Sequence, residues 1–145
     1  MVVTGGGPEH WRAGTQASRV GETRARYFIW DAKRALDFLA GHPAVDPDRI
    51  GATGCSGGGT QTTYISALDS RIKVAAPLCY MNSFEVLFGG SIGDSGQRLQ
   101  NCLSEGLDQP DYGDQFPPKP CAIGLTEADF FPPARPRTLT QGAQR

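Results

Sequence analysis

Apolar residues in this chain switch between helical and strand spacing, and the switches mark its elements. From about Glu22, the residues Tyr27, Trp30, Ala35, Leu36, Phe38 and Leu39 recur at helical intervals with Arg24, Arg26, Asp31, Lys33, Arg34 and Asp37 between them, which predicts an amphipathic helix ending at Gly41. The run His42-Pro43-Ala44-Val45-Asp46-Pro47 stops that helix, because each proline lacks an amide hydrogen and fixes φ. Ile50-Gly51-Ala52-Thr53 then reads as a short buried parallel strand. Thr60 to Leu68 continues as a helix whose first turn is a glycine run, and Asp69-Ser70 turns the chain into a second strand, Ile72 to Leu78. Asn82 to Phe88 predicts a short helix capped by Asn82 or Ser83, Gly89 to Gly96 a glycine-rich loop, and Arg98 to Glu105 another short helix. Gln109 to Pro118 is polar and punctuated by proline, and Pro120 to Thr126 gives a third strand. Residues 1–21, rich in glycine and carrying His10 and Trp11, read as a poorly patterned loop. Residues 22–133 form the domain, and residues 134–145 are expected to be a disordered tail. Helices alternating with strands specify an α/β fold, a parallel sheet with flanking helices.

The chemistry concentrates between the first strand and its helix. Gly54-Cys55-Ser56-Gly57-Gly58 fits G-x-S-x-G, in which a serine occupies a sharp turn from strand to helix. Such a turn forces the serine backbone into a strained region, and the residues two before and two after it must lack bulk where strand and helix nearly touch. Gly54 and Gly58 meet that need. The competing reading is a glycine-rich turn whose serine only caps the helix. Sites in parallel sheets lie beyond the carboxyl ends of the strands, where Ser56 and the residues after Thr126 both fall. Glu127-Ala128-Asp129-Phe130-Phe131 therefore offers an acid on that edge. Asp129, flanked by aromatic residues, is the candidate and Glu127 the alternative; an ordinary solvated loop carboxylate is the third reading.

Composition narrows the partners. With 145 residues, 39% apolar residues and a formal charge of −1, the chain reads as one domain with no bias toward nucleic acid or an anionic membrane. No apolar run approaches the roughly 20 residues that span a bilayer, and Met1 to Pro8 lacks the features of a signal peptide, so the chain as written is expected in the cytoplasm. Cys55, Cys79, Cys102 and Cys121 show no C-x-x-C spacing, which argues against a zinc site, and no cofactor or metal is expected. Buried free thiols are the first reading of these cysteines, ahead of a disulfide between Cys79 and Cys102, which would need an oxidising compartment. Nucleotide binding at the glycine run is the weakest reading, since Gly54 to Thr60 has no lysine and no G-x-G-x-x-G spacing begins at Gly51 or Gly54. Three strands with open edges lead to an expectation of self-association.

The stretch Asp46-Pro47-Asp48-Arg49-Ile50-Gly51 through Gly54-Cys55-Ser56-Gly57-Gly58-Gly59, followed by Arg71-Ile72-Lys73-Val74-Ala75-Ala76-Pro77, resembles the α/β-hydrolase superfamily. Within it the sequence is most similar to the acetyl xylan esterase and prolyl-oligopeptidase-like (dienelactone-hydrolase-like) branch, where G-x-S-x-G-G is usual. Cys79-Tyr80-Met81-Asn82-Ser83-Phe84 and Glu105-Gly106-Leu107-Asp108 resemble bacterial members of the same branch. The likeness runs from about Glu22 to Pro133 and implies an incomplete α/β-hydrolase fold, the later half of such a domain. It further implies that Ser56 is the nucleophile, that the Gly57 amide is one oxyanion donor, that Asp129 orients a catalytic histidine, and that the substrate is a small-molecule ester or acylated carbohydrate.

Two departures qualify that reading. The fold's order is serine, acid, histidine, yet His10 and His42 both precede Ser56. His42 stands before the first strand, so five strand residues put it about 16 Å from Ser56, at the other end of the sheet. His10 lies on the correct edge in principle, in a segment read as flexible. The second oxyanion donor normally comes from a loop after an earlier strand, and no such strand is visible. Two functions follow: a serine hydrolase region acting on a carboxylic ester through an acyl-enzyme, or a truncated or degenerate fragment of that fold without catalytic activity.

Overall fold

The computed structural model describes residues 7–90, 95–127 and 129. The elements run α1 (Gly7–Arg19), α2 (Arg24–Ala40), a 3-10 turn (Pro47–Arg49), β1 (Ile50–Cys55), α3 (Gly57–Leu68), β2 (Ile72–Leu78), α4 (Phe84–Gly90), a 3-10 turn (Ser95–Gln97) and α5 (Gln109–Gly113). β1 and β2 pair in parallel, with Thr53 opposite Ala76 and Cys55 opposite Leu78. A third segment lies along the other side of β2, held by parallel bridges Ala75 to Cys121 and Leu78 to Gly124. It is paired more sparsely than the strand predicted over 120–126. Its hydrogen bonds are regular nonetheless: the Ala122 and Gly124 amides donate to Ala75 and Pro77, and those of Ala75 and Cys79 donate to Pro120 and Gly124. β2 is thus central, and the outer side of β1 carries no strand among the described residues. This is the parallel sheet with flanking helices that the alternation predicts.

α3 is buried from Gly59 to Ser66 except at Gln61, and its sequence suits that position. Threonine is an indifferent helix former, but Thr60, Thr62 and Thr63 return their hydroxyls to the carbonyls of Ser56, Gly58 and Gly59, so three buried polar groups are satisfied within the helix. Ile65 packs with Leu36, Ile50 and Ile72, which joins α2 to the sheet. A second apolar cluster of Tyr80, Met81, Phe84, Leu87 and Cys102 lies under α4. Asp108 locks that region: its Oδ1 accepts from the amides of both Phe84 and Gln109, while Asp111 Oδ2 accepts from the Asp108 amide in a capping box.

Three sequence expectations are corrected here. Within residues 1–21, which read as a loop, the structure has the helix α1. Its Gly14 is a packing contact, where a Cβ would stand 3.5 Å from the Gly96 Cα, and Ala17 is buried. The helix ends where Gly21 takes φ 71° and the Gly21 and Glu22 amides return to Ser18 and Ala17, the closure favoured at a left-handed glycine. The helix expected over Arg98 to Glu105 is instead a series of turns, because Asn101 (φ 57°) and Gly106 (φ 74°) leave helical space. The segment Gln109 to Pro118 contains α5, whose caps supply what its composition does not. For the helix expected over Asn82 to Phe88, the Ser83 hydroxyl accepts from the Val86 amide, making Ser83 its cap. Residues 91–94 of the glycine-rich loop, Phe130, Phe131 and the expected tail lie outside the described residues.

An ion-pair chain fixes the sheet end opposite Ser56. Arg71 donates through Nε and Nη2 to the two oxygens of Asp69 at 2.9 and 2.7 Å and through Nη1 to Asp37 Oδ1 at 2.7 Å. Asp37 in turn holds Arg34. This ties α2 to the turn before β2 and holds the Asp69 carboxyl below the usual carboxylate range, chiefly through the Arg71 hydrogen bonds and against the effect of burial. A lowered folded-state value stabilises above the unfolded pKa of about 3.9 and loses that contribution as pH falls through the folded value. Urea midpoints measured between about pH 5 and pH 2 should therefore fall with acidification, and less steeply in Asp69→Asn.

Close approach at the start of α3 gives a second test. A Cβ at Gly54 would meet the Gly58 carbonyl oxygen at 2.5 Å, and one at Gly59 would meet the Leu78 carbonyl oxygen at 2.3 Å, whereas a Cβ at Gly58 has nothing within 4 Å. The bulk-intolerant pair is thus Gly54 and Gly59, not Gly54 and Gly58 as the motif spacing suggests. Gly58 contributes its backbone to the contact, and its own side-chain position faces open space. Gly54→Ala and Gly59→Ala should each destabilise by about 1–3 kcal/mol or prevent folding, while Gly58→Ala should be neutral or stabilising by up to about 1 kcal/mol, all read from denaturant melts.

Candidate active site

Ser56 is the hinge between β1 and α3, with φ 55° and ψ −119°. This left-handed backbone is rare for a residue with a Cβ and is imposed from both sides. The Ser56 amide donates to the Leu78 carbonyl at the end of β2, and the Ser56 carbonyl accepts from the Thr60 amide in the first turn of α3. The side chain makes no capping hydrogen bond and is exposed, so the capping-serine reading does not describe it. Gly57 opens α3, and an amide in a helix's first turn has no partner within the helix. Gln97 is buried, and its Oε1 lies 3.8 Å from where a Cβ on Gly57 would stand. Its carbonyl is held by the Tyr64 hydroxyl at 2.7 Å.

β2 ends at the same level in a second left-handed residue, Cys79 (φ 55°). Beyond the third segment, the Thr126 hydroxyl donates to Asp129 Oδ2 at 2.5 Å. Cys79 lies between the two sides. Its pKa is raised, first by the neighbouring Cys55 thiol and then by burial; the Thr126 hydroxyl opposes the shift and the Asp129 charge adds to it. One row along the carboxyl edge therefore runs from Cys55 and Ser56 through Cys79 to Thr126 and Asp129. Asp129 is partly buried and Glu127 exposed. Two strand spacings of about 4.8 Å separate the ends of the row, so Ser56 and the acid share an edge with a gap of about 10 Å at backbone level.

The histidines are distributed otherwise. His42 follows α2, takes the Ala44 amide on Nδ1 at 3.2 Å and lies against Phe38, at the opposite end of β1 from Ser56. His10 falls within α1, and its side chain is outside the described residues. All four cysteines are free, so the Cys79 to Cys102 bond is not formed. Only Cys102 is buried; Cys55 and Cys121 are exposed, which corrects the expectation of buried thiols, because the ends of a sheet this narrow are covered by little chain. Among the described residues, no three His, Cys, Asp or Glu side chains are grouped to hold a metal ion, and no helix is long and apolar enough to cross a membrane.

Sequence reasoning missed Cys79 and Thr126 as neighbours of the candidate acid, and Gln97 beside Gly57. A signal existed for the first two, since Cys79 follows directly on the predicted second strand and Thr126 ends the predicted third. None existed for Gln97, which a 3-10 turn brings to Gly57 from 40 positions along the chain.

A serine on a left-handed elbow between parallel strand and helix is the arrangement of the α/β-hydrolase fold, represented here by part of its domain. The chain belongs to the glucuronyl esterase family: the family model described as "Glucuronyl esterase, fungi" matches residues 9–84, more than half of its length. It is 44% identical over 59 residues to "Putative hydrolase YtaP" of Bacillus subtilis (strain 168), a match covering 41% of this chain and 20% of that protein. Similar solved structures include a glucuronoyl esterase from Sporotrichum thermophile (TM-score 0.68, 17% identity, 85% of this chain and 41% of that one). The glucuronoyl esterase catalytic domain from Hypocrea jecorina gives a TM-score of 0.67 at 17% identity over the same shares. A glucuronoyl esterase from Solibacter usitatus gives 0.66 at 17%, covering 84% of this chain and 34% of that one. At these identities the structures establish the fold alone, and the chain spans well under half of the length of each.

The strain at Ser56 can be measured apart from any chemistry. Glycine accepts this backbone freely and alanine does not. Ser56→Gly should therefore be more stable than Ser56→Ala by about 1–3 kcal/mol in urea melts; equal stabilities would show that the elbow is not strained.

Proposed function

We propose that this chain carries the nucleophile and acid of a serine carboxylic-ester hydrolase whose acyl group is a glucuronic acid. The observation that carries this reading is the Ser56 elbow: an exposed hydroxyl, free of capping duty, on a backbone forced to φ 55° where α3 begins. In this reading the Ser56 oxygen attacks the ester carbonyl carbon as a base removes its proton. The oxyanion of the tetrahedral intermediate is met by the Gly57 amide, and the alcohol departs to leave an acyl-enzyme that water hydrolyses. Asp129 is the acid that would orient the base, and its bond from Thr126 fixes the carboxylate. The substrate class comes from family membership. The acetyl xylan esterase resemblance, carried by Gly54-Cys55-Ser56-Gly57-Gly58-Gly59, makes an acetyl ester the competing substrate.

A second reading, that the 145-residue chain by itself turns over no ester, is favoured by the placement of His42 at the far end of β1. A serine hydroxyl needs a base within about 3 Å, and loss of a triad member costs on the order of 10⁴ to 10⁶ in turnover. One pair of measurements separates the two: labelling by a fluorophosphonate, and hydrolysis of an alkyl ester of glucuronic acid against an acetyl nitrophenyl ester, each for wild type and Ser56→Ala. Slow labelling confined to Ser56, with turnover close to that of the variant, is expected. Fast turnover lost in Ser56→Ala would overturn the second reading. Labelling that persists in Ser56→Ala would overturn the assignment of the nucleophile.

A further inference from the structure

Two nucleophilic groups on the carboxyl edge, the thiols of Cys55 and Cys79, have no place in the proposed chemistry. We propose that Cys55 and Cys79 form a redox-sensitive pair, oxidised by hydroperoxides to a disulfide that bolts the end of the nucleophile strand to the end of β2. The register supplies the first argument. Cys55 is opposite Leu78, so Cys79 is one residue beyond its partner. With strands about 4.8 Å apart and a rise of about 3.3 Å, Cα atoms so offset lie about 5.8 Å apart, inside the roughly 4.4–6.8 Å that disulfides span.

Backbone conformation supplies the second. In a regular strand, alternation would send the Cys79 side chain to the face opposite that of Cys55. Cys79 is at φ 55°, outside strand space, so the alternation lapses at that residue and its thiol can turn toward that of Cys55, the neighbour that does most to raise its pKa. Access supplies the third. Cys55 is exposed and Cys79 half-buried, which makes Cys55 the sulfur a hydroperoxide reaches and Cys79 the one that resolves it. Cys102 is enclosed in the cluster under α4, and Cys121 bridges to Ala75, three residues before Leu78, so neither competes for Cys55.

The steps balance. Cys55 thiolate attacks the peroxide oxygen, giving the sulfenic acid and releasing alkoxide or hydroxide; the Cys79 thiolate then attacks that sulfur, forming the S–S bond and expelling hydroxide. Two thiols are oxidised by two electrons and one hydroperoxide is reduced to alcohol or water. Bond formation requires no catalytic role for Ser56, so it stands or falls apart from the proposed function.

The test treats the full chain with hydrogen peroxide, alkylates the remaining thiols, and maps peptides without reduction. The expected result is a Cys55–Cys79 linked pair lighter by two hydrogens, restored by dithiothreitol, with Cys102 and Cys121 recovered in alkylated form. In Cys79→Ser, Cys55 should instead accumulate as a dimedone-trappable sulfenic acid. Because the reduced fold already brings the sulfurs together, the oxidised wild type should melt several degrees higher than the reduced protein. Links through Cys102 or Cys121, over-oxidation of Cys55 with no link in wild type, or a lower melting temperature on oxidation would each overturn the proposal.

Discussion

Everything on the carboxyl edge depends on how closely β1, β2 and the first turn of α3 approach one another. Two contacts set that distance: Gly54 under the backbone of Gly58, and Gly59 against the Leu78 carbonyl. Neither leaves room for a methyl group. With the backbones this close, the chain can pass from strand to helix in a single residue, and that residue is left at φ 55°. The same Leu78 carbonyl accepts the Ser56 amide, so one peptide unit of β2 both limits the approach of α3 and holds the elbow. The exposed hydroxyl is therefore a product of backbone packing rather than of any contact made by the serine side chain.

The opposite end of the sheet is held by charge. The Arg71, Asp69 and Asp37 chain fastens the turn before β2 to α2, and Lys119 reaches the Ser66 and Asp69 carbonyls with its ammonium at 2.6 and 3.1 Å. A cation near the last carbonyls of α3 suits the negative end of the helix dipole and draws the start of the third segment toward the helix that follows Ser56. The two ends are thus held by different physics: steric exclusion between glycines where the hydroxyl emerges, and hydrogen-bonded charges where it does not.

The parallel sheet, α2, α3 and the elbow were legible in the sequence because each rests on local pattern: the helical spacing from Tyr27 to Leu39, the small residues Gly51 to Gly54, the apolar run Ile72 to Leu78; which residues of α2 are buried was not, since Tyr27, Trp30, Phe38 and Leu39 are exposed and Leu36 carries the packing. α1 was not, because its burial comes from Ala17 and from a glycine-to-glycine contact with Gly96, neither of which makes an apolar stripe. The segment 98–105 misled in the other direction: its composition is helical, and Asn101 overrides it with one left-handed residue. At the site, Ser56 and the carboxylates at 127 and 129 could be read from motif and edge. The steric need at Gly59 in place of Gly58 could not, since it depends on where the Leu78 carbonyl points. Nor could the meeting of Cys55 with Cys79, which depends on strand register and a single unusual φ.

Ser56 and Cys79 share a further property, for both leave strand geometry at φ 55° and at the same level of the sheet. A strand cannot be prolonged through a left-handed residue, so β1 and β2 each carry a built-in stop, and the floor of the site stays at one height whatever follows. Segments beyond the stops, such as the stretch from α4 to α5, can therefore lengthen, shorten or change sequence over evolutionary time without tilting that floor. In a scaffold of this kind, new specificities can arise by exchanging the overhanging segments while the two stops remain where they are.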